Sequence, residues 1–102
     1  MKLKLYKKQL STAPEIFLTR IAGYIIIHNR HTGEDSFARP LTRNHYPRLH
    51  MYVMNEGDDK LIFHLHLDQK EPSYQGSSAH SAEYDGEVVE NEMRRLISLI
   101  QS

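Results

Sequence analysis

The fold is decided by residues 48–68, which read RLHMYVMNEGDDKLIFHLHLD. Apolar and polar side chains alternate over residues 48–55 and again over residues 60–68, and this two-residue period is typical of half-buried β-strands. Residues 56–59 between the two runs contain Gly57, which suits a tight turn. The stretch predicts a β-hairpin with one buried face, whose apolar members are Leu49, Met51, Val53, Leu61, Phe63, Leu65 and Leu67.

The residues before the hairpin predict three more strands. Residues 2–6 alternate in polarity and predict a short strand. Residues 24–28, Tyr-Ile-Ile-Ile-His, are β-branched and apolar, so they predict a buried strand. Residues 36–41 follow turn-forming residues and predict its partner, with Pro40 at an edge or at a strand end.

Two helices complete the pattern. Residues 13–22 predict a short helix that buries Ile16, Phe17 and Ile21. A second helix is predicted to begin at Asp85 after a long polar loop, and its apolar side chains recur at helical spacing. Those side chains are Val89, Met93, Leu96, Ile97 and Ile100.

We therefore predict a single α+β domain over residues 1–102. Its antiparallel sheet of four to five strands carries a short N-terminal helix and a longer C-terminal amphipathic helix on one face. The chain has no Cys, which excludes disulfides and thiolate metal sites. No apolar run approaches the ~18 residues of a membrane span, so we expect a cytoplasmic protein with no membrane partner.

The net charge of zero conceals a division between the two halves of the chain. Residues 1–50 contain nine Lys or Arg and three Asp or Glu, which gives +6, whereas residues 51–102 contain four and ten, which gives −6. A basic half can meet an acidic partner, or the two halves can pack together and neutralise each other. Packing together is the simpler expectation for a small domain.

The strongest candidate for chemistry is the run His64-Leu-His66-Leu-Asp68. Alternate residues of a strand share a face, so the two imidazoles and the carboxylate are expected to project together. Such groups bind divalent transition metals, and we predict His64, His66 and His80 as ligands. Glu83 is an alternative to His80 or a catalytic carboxylate, and Asp68 is a fourth ligand, an orienting carboxylate or a general base. The alternative is a polar face whose side chains are satisfied by hydrogen bonds.

His50 is predicted to lie opposite this run, on the partner strand and on the same face. The run is also similar to the His-x-His-x-Asp-His signature of metallo-β-lactamase-like hydrolases, but Gln69 stands where that signature has its last His. The sequence also contains the residues of the first cupin motif in the right order, but their spacings differ from those of the motif. Neither similarity assigns a role to any residue of this chain.

A second candidate is a basic stretch that contains Arg39, Arg43 and Arg48, together with His45 and Tyr46. Guanidinium groups hold phosphates and aromatic rings stack on bases, so this stretch predicts phosphate or nucleic-acid binding. The alternative is a cationic loop that pairs with the acidic second half of the chain.

Over most of its length the sequence resembles small bacterial proteins of unknown function, of the candidate-phylum type. The resemblance is carried by residues 65–70 (LHLDQK), 72–74 (PSY), Gly76, His80 and 83–85 (EYD) ahead of the last helix. It implies a free-standing bacterial cytoplasmic protein and brings no activity, ligand or site with it.

Three functional hypotheses follow. The first is a binding or assembly module without catalytic activity, with a homodimer through the hairpin edge or the last helix as one form of assembly. The second is a small metal-dependent hydrolase that uses a cluster of His64, His66, Asp68 and His80. The third is nucleic-acid or phosphate binding through the three arginines.

Overall fold

The protein folds as the α+β domain that the sequence predicts. The structure, a computed structural model, describes residues 1–70 and 86–102 together with the backbone of residues 82–83. An antiparallel sheet has the strand order β1-β5-β4-β3-β2, and a two-residue strand, β6, pairs with the end of β5. The strands are β1 (Lys2–Tyr6), β2 (Ile25–His28), β3 (Asp35–Pro40), β4 (Arg48–Glu56), β5 (Lys60–Asp68) and β6 (Ala82–Glu83).

The helices pack together on one face of this sheet. A 3₁₀ turn, Lys7–Gln9, leads to α1 (Pro14–Ile16), which continues as a π-helical turn, Phe17–Ile21, and the chain ends in α2 (Glu87–Gln101). The ring of Phe17 lies 6.4 Å from the ring of Phe63 on β5. The inner side of α2 completes the same core with Val89, Met93 and Leu96.

The predicted hairpin is confirmed as β4 and β5, and its inward face is the centre of the core. Met51, Phe63 and Leu65 are fully buried, and Val53 packs against the core half-buried. On its outer side β4 pairs with β3 over Arg48–Met51 only, while β5 pairs with β1 over Lys60–His64 and with β6 over Leu67–Asp68. Among the described strands, those at the edges of the sheet are β1, β2 and the short β6, and a homodimer through the hairpin edge stays a prediction.

The N-terminal helix buries a different side from the predicted one. Phe17 is buried as expected, but Ile16 and Ile21 are more than 40% exposed, and Leu18 and Ala22 are buried in their place. The N–H of Ala22 donates to the carbonyl of Phe17, five residues earlier, at 2.9 Å. This wider π-helical turn shifts the phase of the helix, so a prediction based on the α-helical period assigned the wrong residues to the core.

The predicted buried strand at residues 24–28 is an exposed edge strand. Ile25 is 52% exposed and Ile26 is 44% exposed, while Tyr24, just before β2, is the buried residue of this stretch. The strand pairs with β3, and its successive side chains alternate between the two faces of the sheet, so Ile25 lies opposite Ala38 on the face away from the helices. A run of β-branched residues indicates a strand correctly, but it does not indicate whether that strand is central or at an edge.

The hairpin register places the polar residues of both strands on the face away from the helices. His50 lies directly opposite His66, and Arg48 lies opposite Asp68. The predicted position of His50 is thereby confirmed. We call this side of the sheet, which faces away from the helices, the open face. It continues from β4 onto β3 and carries the candidate functional site.

The two oppositely charged halves of the chain meet each other in the fold. Arg48 pairs with Asp68 at 3.1 Å and Arg39 pairs with Glu92 at 3.5 Å, each joining the basic half to the acidic half. Among the described residues, no helix has the length and apolar character needed to span a membrane.

Candidate functional site

A polar cluster lies on the open face of the sheet where three strands run side by side. It consists of Ser36 from β3, Arg48 and His50 from β4, and His66 and Asp68 from β5, and we call it the His–Asp cluster. Ser36, His50 and His66 are all more than 90% buried. Because buried polar groups require partners, this cluster must be internally hydrogen-bonded to be stable.

The carboxylate of Asp68 is the centre of the cluster. Its Oδ2 atom lies 3.0 Å from Nδ1 of His50 and accepts a hydrogen bond of 3.1 Å from Nε of Arg48. Its Oδ1 atom lies 2.8 Å from Nε2 of His66. A single carboxylate thus contacts a guanidinium and two imidazoles, which fixes the relative positions of all three side chains.

Ser36 extends the cluster onto a third strand. Its Oγ atom lies 2.8 Å from Nε2 of His50, on the opposite side of the ring from Asp68. Both nitrogens of His50 are therefore engaged, one by a carboxylate and one by a hydroxyl. This places Ser36, His50 and Asp68 in one hydrogen-bonded row across β3, β4 and β5.

Aromatic packing holds the two imidazoles in place. The ring of His50 lies 4.9 Å from the ring of His66 and 4.6 Å from that of Tyr52, and Tyr52 stacks on His66 at 5.7 Å. Tyr52 covers the cluster while remaining 41% exposed itself. The three rings thus restrict the rotation of both histidines.

The electrostatics of the cluster keep Asp68 ionised. Burial alone would raise the pKa of this carboxyl, but hydrogen bonds from His50 and His66, the charge of His50 and the hydrogen bond from Arg48 outweigh it. Together these contacts hold the pKa of Asp68 well below its usual range. The carboxylate is therefore available as an acceptor or as a metal ligand at neutral pH.

The predicted metal ligands are only partly brought together. His66 and Asp68 belong to the cluster, and His50 is the third member of the group whose ligand atoms lie within 4.8 Å of one another. His64 lies one strand pair further along, between Lys2 and Tyr52, and is not part of that group. Burial, the N-terminal ammonium and Lys2 lower the pKa of His64.

The remaining predicted residues of the metal site lie at or beyond the limits of the described chain. His80 lies outside the described residues, as does most of the long polar loop. Asp85, the predicted start of the last helix, also lies outside them. The backbone of Glu83, in β6, pairs with Leu67 beside Asp68. The residue opposite Asp68 in this register is Ala82, and the side chain of Glu83 lies outside the described part of the chain, so the role of Glu83 stays a prediction.

The three arginines predicted to bind phosphate are not brought together. Arg39 lies on the helix-facing side of β3 and pairs with Glu92, whereas Arg48 lies on the open face and pairs with Asp68. Arg43 is exposed in the loop between these strands. Two of the three guanidiniums are thus committed to carboxylates on opposite faces of the sheet.

A cleft opens beside the His–Asp cluster and gives access to it. It has a volume of about 410 Å³ and is lined by Ser36, Arg48, His50 and Tyr52 on one side. The turn between β2 and β3 forms its other side, where Nδ1 of His28 contacts Oδ1 of Asp35 at 2.7 Å. The cleft has room for a small molecule or for several waters.

A second buried polar group, on the helix side, was not predicted. The hydroxyl of Tyr24 donates to Glu92 at 2.5 Å, and Arg95 donates to both carboxylate oxygens of Glu92 at 2.7 and 2.8 Å. Arg95 also donates to the carbonyl of Ala22 at 2.7 Å. The signal was present in the sequence, because Glu92 falls on the apolar side of α2 at helical spacing from Leu96.

Ser36 was also missed as a site residue. Nothing in residues 35–40 alone distinguishes it from an ordinary strand serine. Its signal is the register of β3 against β4, which pairs Ala38 with His50 and so brings Ser36 near the imidazole. That register is a property of the folded sheet and not of any local pattern.

Comparison with known proteins adds no relative. No family model, no curated protein and no solved structure matches this chain.

Proposed function

We propose that this protein is a small metal-binding domain that holds one divalent transition ion on His50, His66 and Asp68. The observation that carries the proposal is the convergence of two imidazoles and one carboxylate within 4.8 Å. Tetrahedral coordination with bonds of roughly 2.1 Å needs ligand atoms about 3.4 Å apart, so small side-chain rotations are enough. Two imidazoles and a carboxylate suit Zn²⁺, Fe²⁺, Mn²⁺ or Co²⁺.

The neighbours of the ligands support this proposal. In this arrangement His50 coordinates through Nδ1 and donates its Nε2 proton to Ser36, a partner of the kind that orients metal-binding histidines. Asp68 keeps its hydrogen bond from Arg48 on one oxygen and binds the ion with the other. The positive charge of Arg48 weakens the affinity for a cation, so we expect moderate rather than very tight binding.

The proposal makes the first functional hypothesis more specific. The binding module would bind a divalent transition ion through His50, His66 and Asp68. The cleft beside His50 leaves space for a further ligand on the ion. The second hypothesis, hydrolysis by an ion-bound water, would use the same three ligands. The separate partners of Arg39 and Arg48 give no comparable support to nucleic-acid binding.

Titration of untagged, chelator-treated protein with Co²⁺ and Zn²⁺ tests the proposal, by visible absorption for Co²⁺ and by calorimetry for Zn²⁺. We expect about one ion per chain for the wild type. His50→Asn, His66→Asn and Asp68→Asn should each weaken binding at least tenfold. Ser36→Ala should weaken it on the order of tenfold, as loss of a supporting partner does elsewhere.

The matched controls are histidines outside the cluster. His64→Asn changes the neighbouring histidine of the same strand face, and His28→Asn changes an exposed histidine at the far side of the cleft. Both variants should bind the ion as the wild type does. Occupancy below about 0.1 ion per chain, or equal loss in the control variants, would rule out this site.

A further inference from the structure

We infer that Ser36 is a nucleophile activated by His50 and Asp68 in the metal-free protein, and that it reacts with small carboxylic esters. The three side chains form one row, with 2.8 Å from Oγ of Ser36 to Nε2 of His50 and 3.0 Å from Nδ1 of His50 to Oδ2 of Asp68. Serine, base and orienting carboxylate in this order are the elements of nucleophilic catalysis, whatever the surrounding fold. This inference does not depend on metal binding.

The partners of His50 assign its proton. An ionised carboxylate can only accept, so in the neutral imidazole the proton sits on Nδ1 and points to Asp68. Nε2 is then an acceptor, and the hydroxyl of Ser36 is the donor across the 2.8 Å contact. His50 is thus held in the tautomer that can take the proton of Ser36.

Three further contacts keep this arrangement fixed. Arg48 and His66 each hold an oxygen of Asp68, so the carboxylate cannot rotate away from His50. Tyr52 packs against the imidazole of His50 at 4.6 Å. Such preorganisation is what distinguishes a competent base from a transient contact.

Ser36 is reachable despite its burial. The cleft of about 410 Å³ is lined by Ser36 and His50, and Arg30 adds positive charge to its wall. A small ester fits such a volume, and a cationic group in the wall favours the negative charge that develops on its carbonyl oxygen.

The reaction balances without any other reagent than water. Oγ of Ser36 bonds to the carbonyl carbon while its proton passes to Nε2 of His50, and the ester C–O bond then breaks as the alkoxide leaves with that proton. Water attacks the acyl-serine, again giving a proton to His50, and the carboxylic acid departs as Ser36 is restored. The net change is hydrolysis of one ester to an acid and an alcohol.

The same imidazole cannot serve the serine and a metal ion together. An ion on Nδ1 forces the ring proton onto Nε2, which then donates to Ser36 and can no longer accept its proton. A bound ion should therefore silence Ser36. This makes the two uses of His50 separable by experiment.

The test is labelling of chelator-treated protein with a fluorophosphonate, followed by intact-mass and peptide mass spectrometry. Ser36 should displace fluoride and give one adduct per folded chain. Ser36→Ala should give no adduct, and His50→Asn should slow labelling about a hundredfold or more, as loss of a general base does. p-Nitrophenyl acetate should in parallel give a burst of about one nitrophenolate per chain.

Exposed serines provide the matched controls, since Ser11→Ala and Ser98→Ala should label at the wild-type rate. An adduct at any other serine, no adduct on folded wild type, or a rate independent of His50 would overturn the inference. Saturating Zn²⁺ should suppress labelling, and unchanged labelling of the ion-bound form would disprove the shared use of His50. If no ion binds, the proposed function fails while the metal-free labelling still decides the role of Ser36.

Discussion

His50 and Asp68 lie diagonally across the hairpin, yet Nδ1 of His50 and Oδ2 of Asp68 are only 3.0 Å apart. His66 lies directly opposite His50, and Arg48 lies directly opposite Asp68. Like His50, both His66 and Arg48 contact the carboxylate of Asp68. Diagonal neighbours on one face of an antiparallel pair are within reach of long side chains. The carboxylate therefore joins both strands of the hairpin at the end away from its turn.

Asp68→Asn should destabilise the protein markedly. The change removes the charge that holds Arg48 and two imidazoles in a mostly buried position, and we expect a loss of about 2–3 kcal/mol. Asp35→Asn is the matched control, because the pair of Asp35 with His28 is half exposed and should contribute less than about 1 kcal/mol. Urea unfolding at neutral pH measures both, and equal losses would contradict the central role of Asp68.

The stability advantage of wild type over Asp68→Asn should depend on pH with a definite sign. The folded-state pKa of Asp68 is lowered, so its contribution is fully present above the unfolded value of about 4 and is lost as the pH falls further. We expect a constant difference between about pH 5 and pH 7 that shrinks below about pH 4. Urea unfolding of both proteins across this range provides the measurement, and a difference that stays constant at low pH would exclude the mechanism.

Tyr24 should stay protonated in alkaline solution while the protein remains folded. Burial, together with the charge and the hydrogen bond of Glu92, raises the pKa of Tyr24 far above its usual 10. Its stabilising contribution is therefore present below about pH 10 and is lost as the pH rises beyond that value. Absorbance of tyrosinate at high pH should be the same for Tyr24→Phe and wild type until unfolding.

The control for this titration is the unfolded chain, in which the burial of Tyr24 and its contact with Glu92 are lost. After unfolding in denaturant, Tyr24→Phe should show one tyrosinate fewer than the wild type. Early ionisation of Tyr24 in the folded protein would mean that its contact with Glu92 is not maintained.

Two substitutions within the N-terminal helix test which of its sides is buried. Leu18 is fully buried and Ile21 is 45% exposed. The α-helical period had instead predicted that Ile21 is buried. Leu18→Ala should cost on the order of 2–5 kcal/mol, while Ile21→Ala should cost about 1 kcal/mol or less. Denaturant midpoints compare the two directly, and a larger effect at Ile21 would restore the original prediction.

Much of the fold was predictable because it follows from local periodicity. The hairpin is encoded by two alternating runs and a glycine turn, and α2 is encoded by apolar side chains at helical spacing. Alternation also predicted that His66 and Asp68 share a face with His50. Errors arose where the local period was not the regular one, as in the π-helical turn at Phe17–Ile21.

The sequence by itself determined the α+β class, the hairpin, the last helix and the side of β5 that bears His66 and Asp68. Only the tertiary structure decided that β2 is an exposed edge, that Arg39 and Arg48 face opposite ways, and that Ser36 meets His50. The physical reason is the distance along the chain over which each interaction acts. Periodicity acts over neighbouring residues, whereas strand order and register are set by packing and hydrogen bonding between segments far apart in the chain.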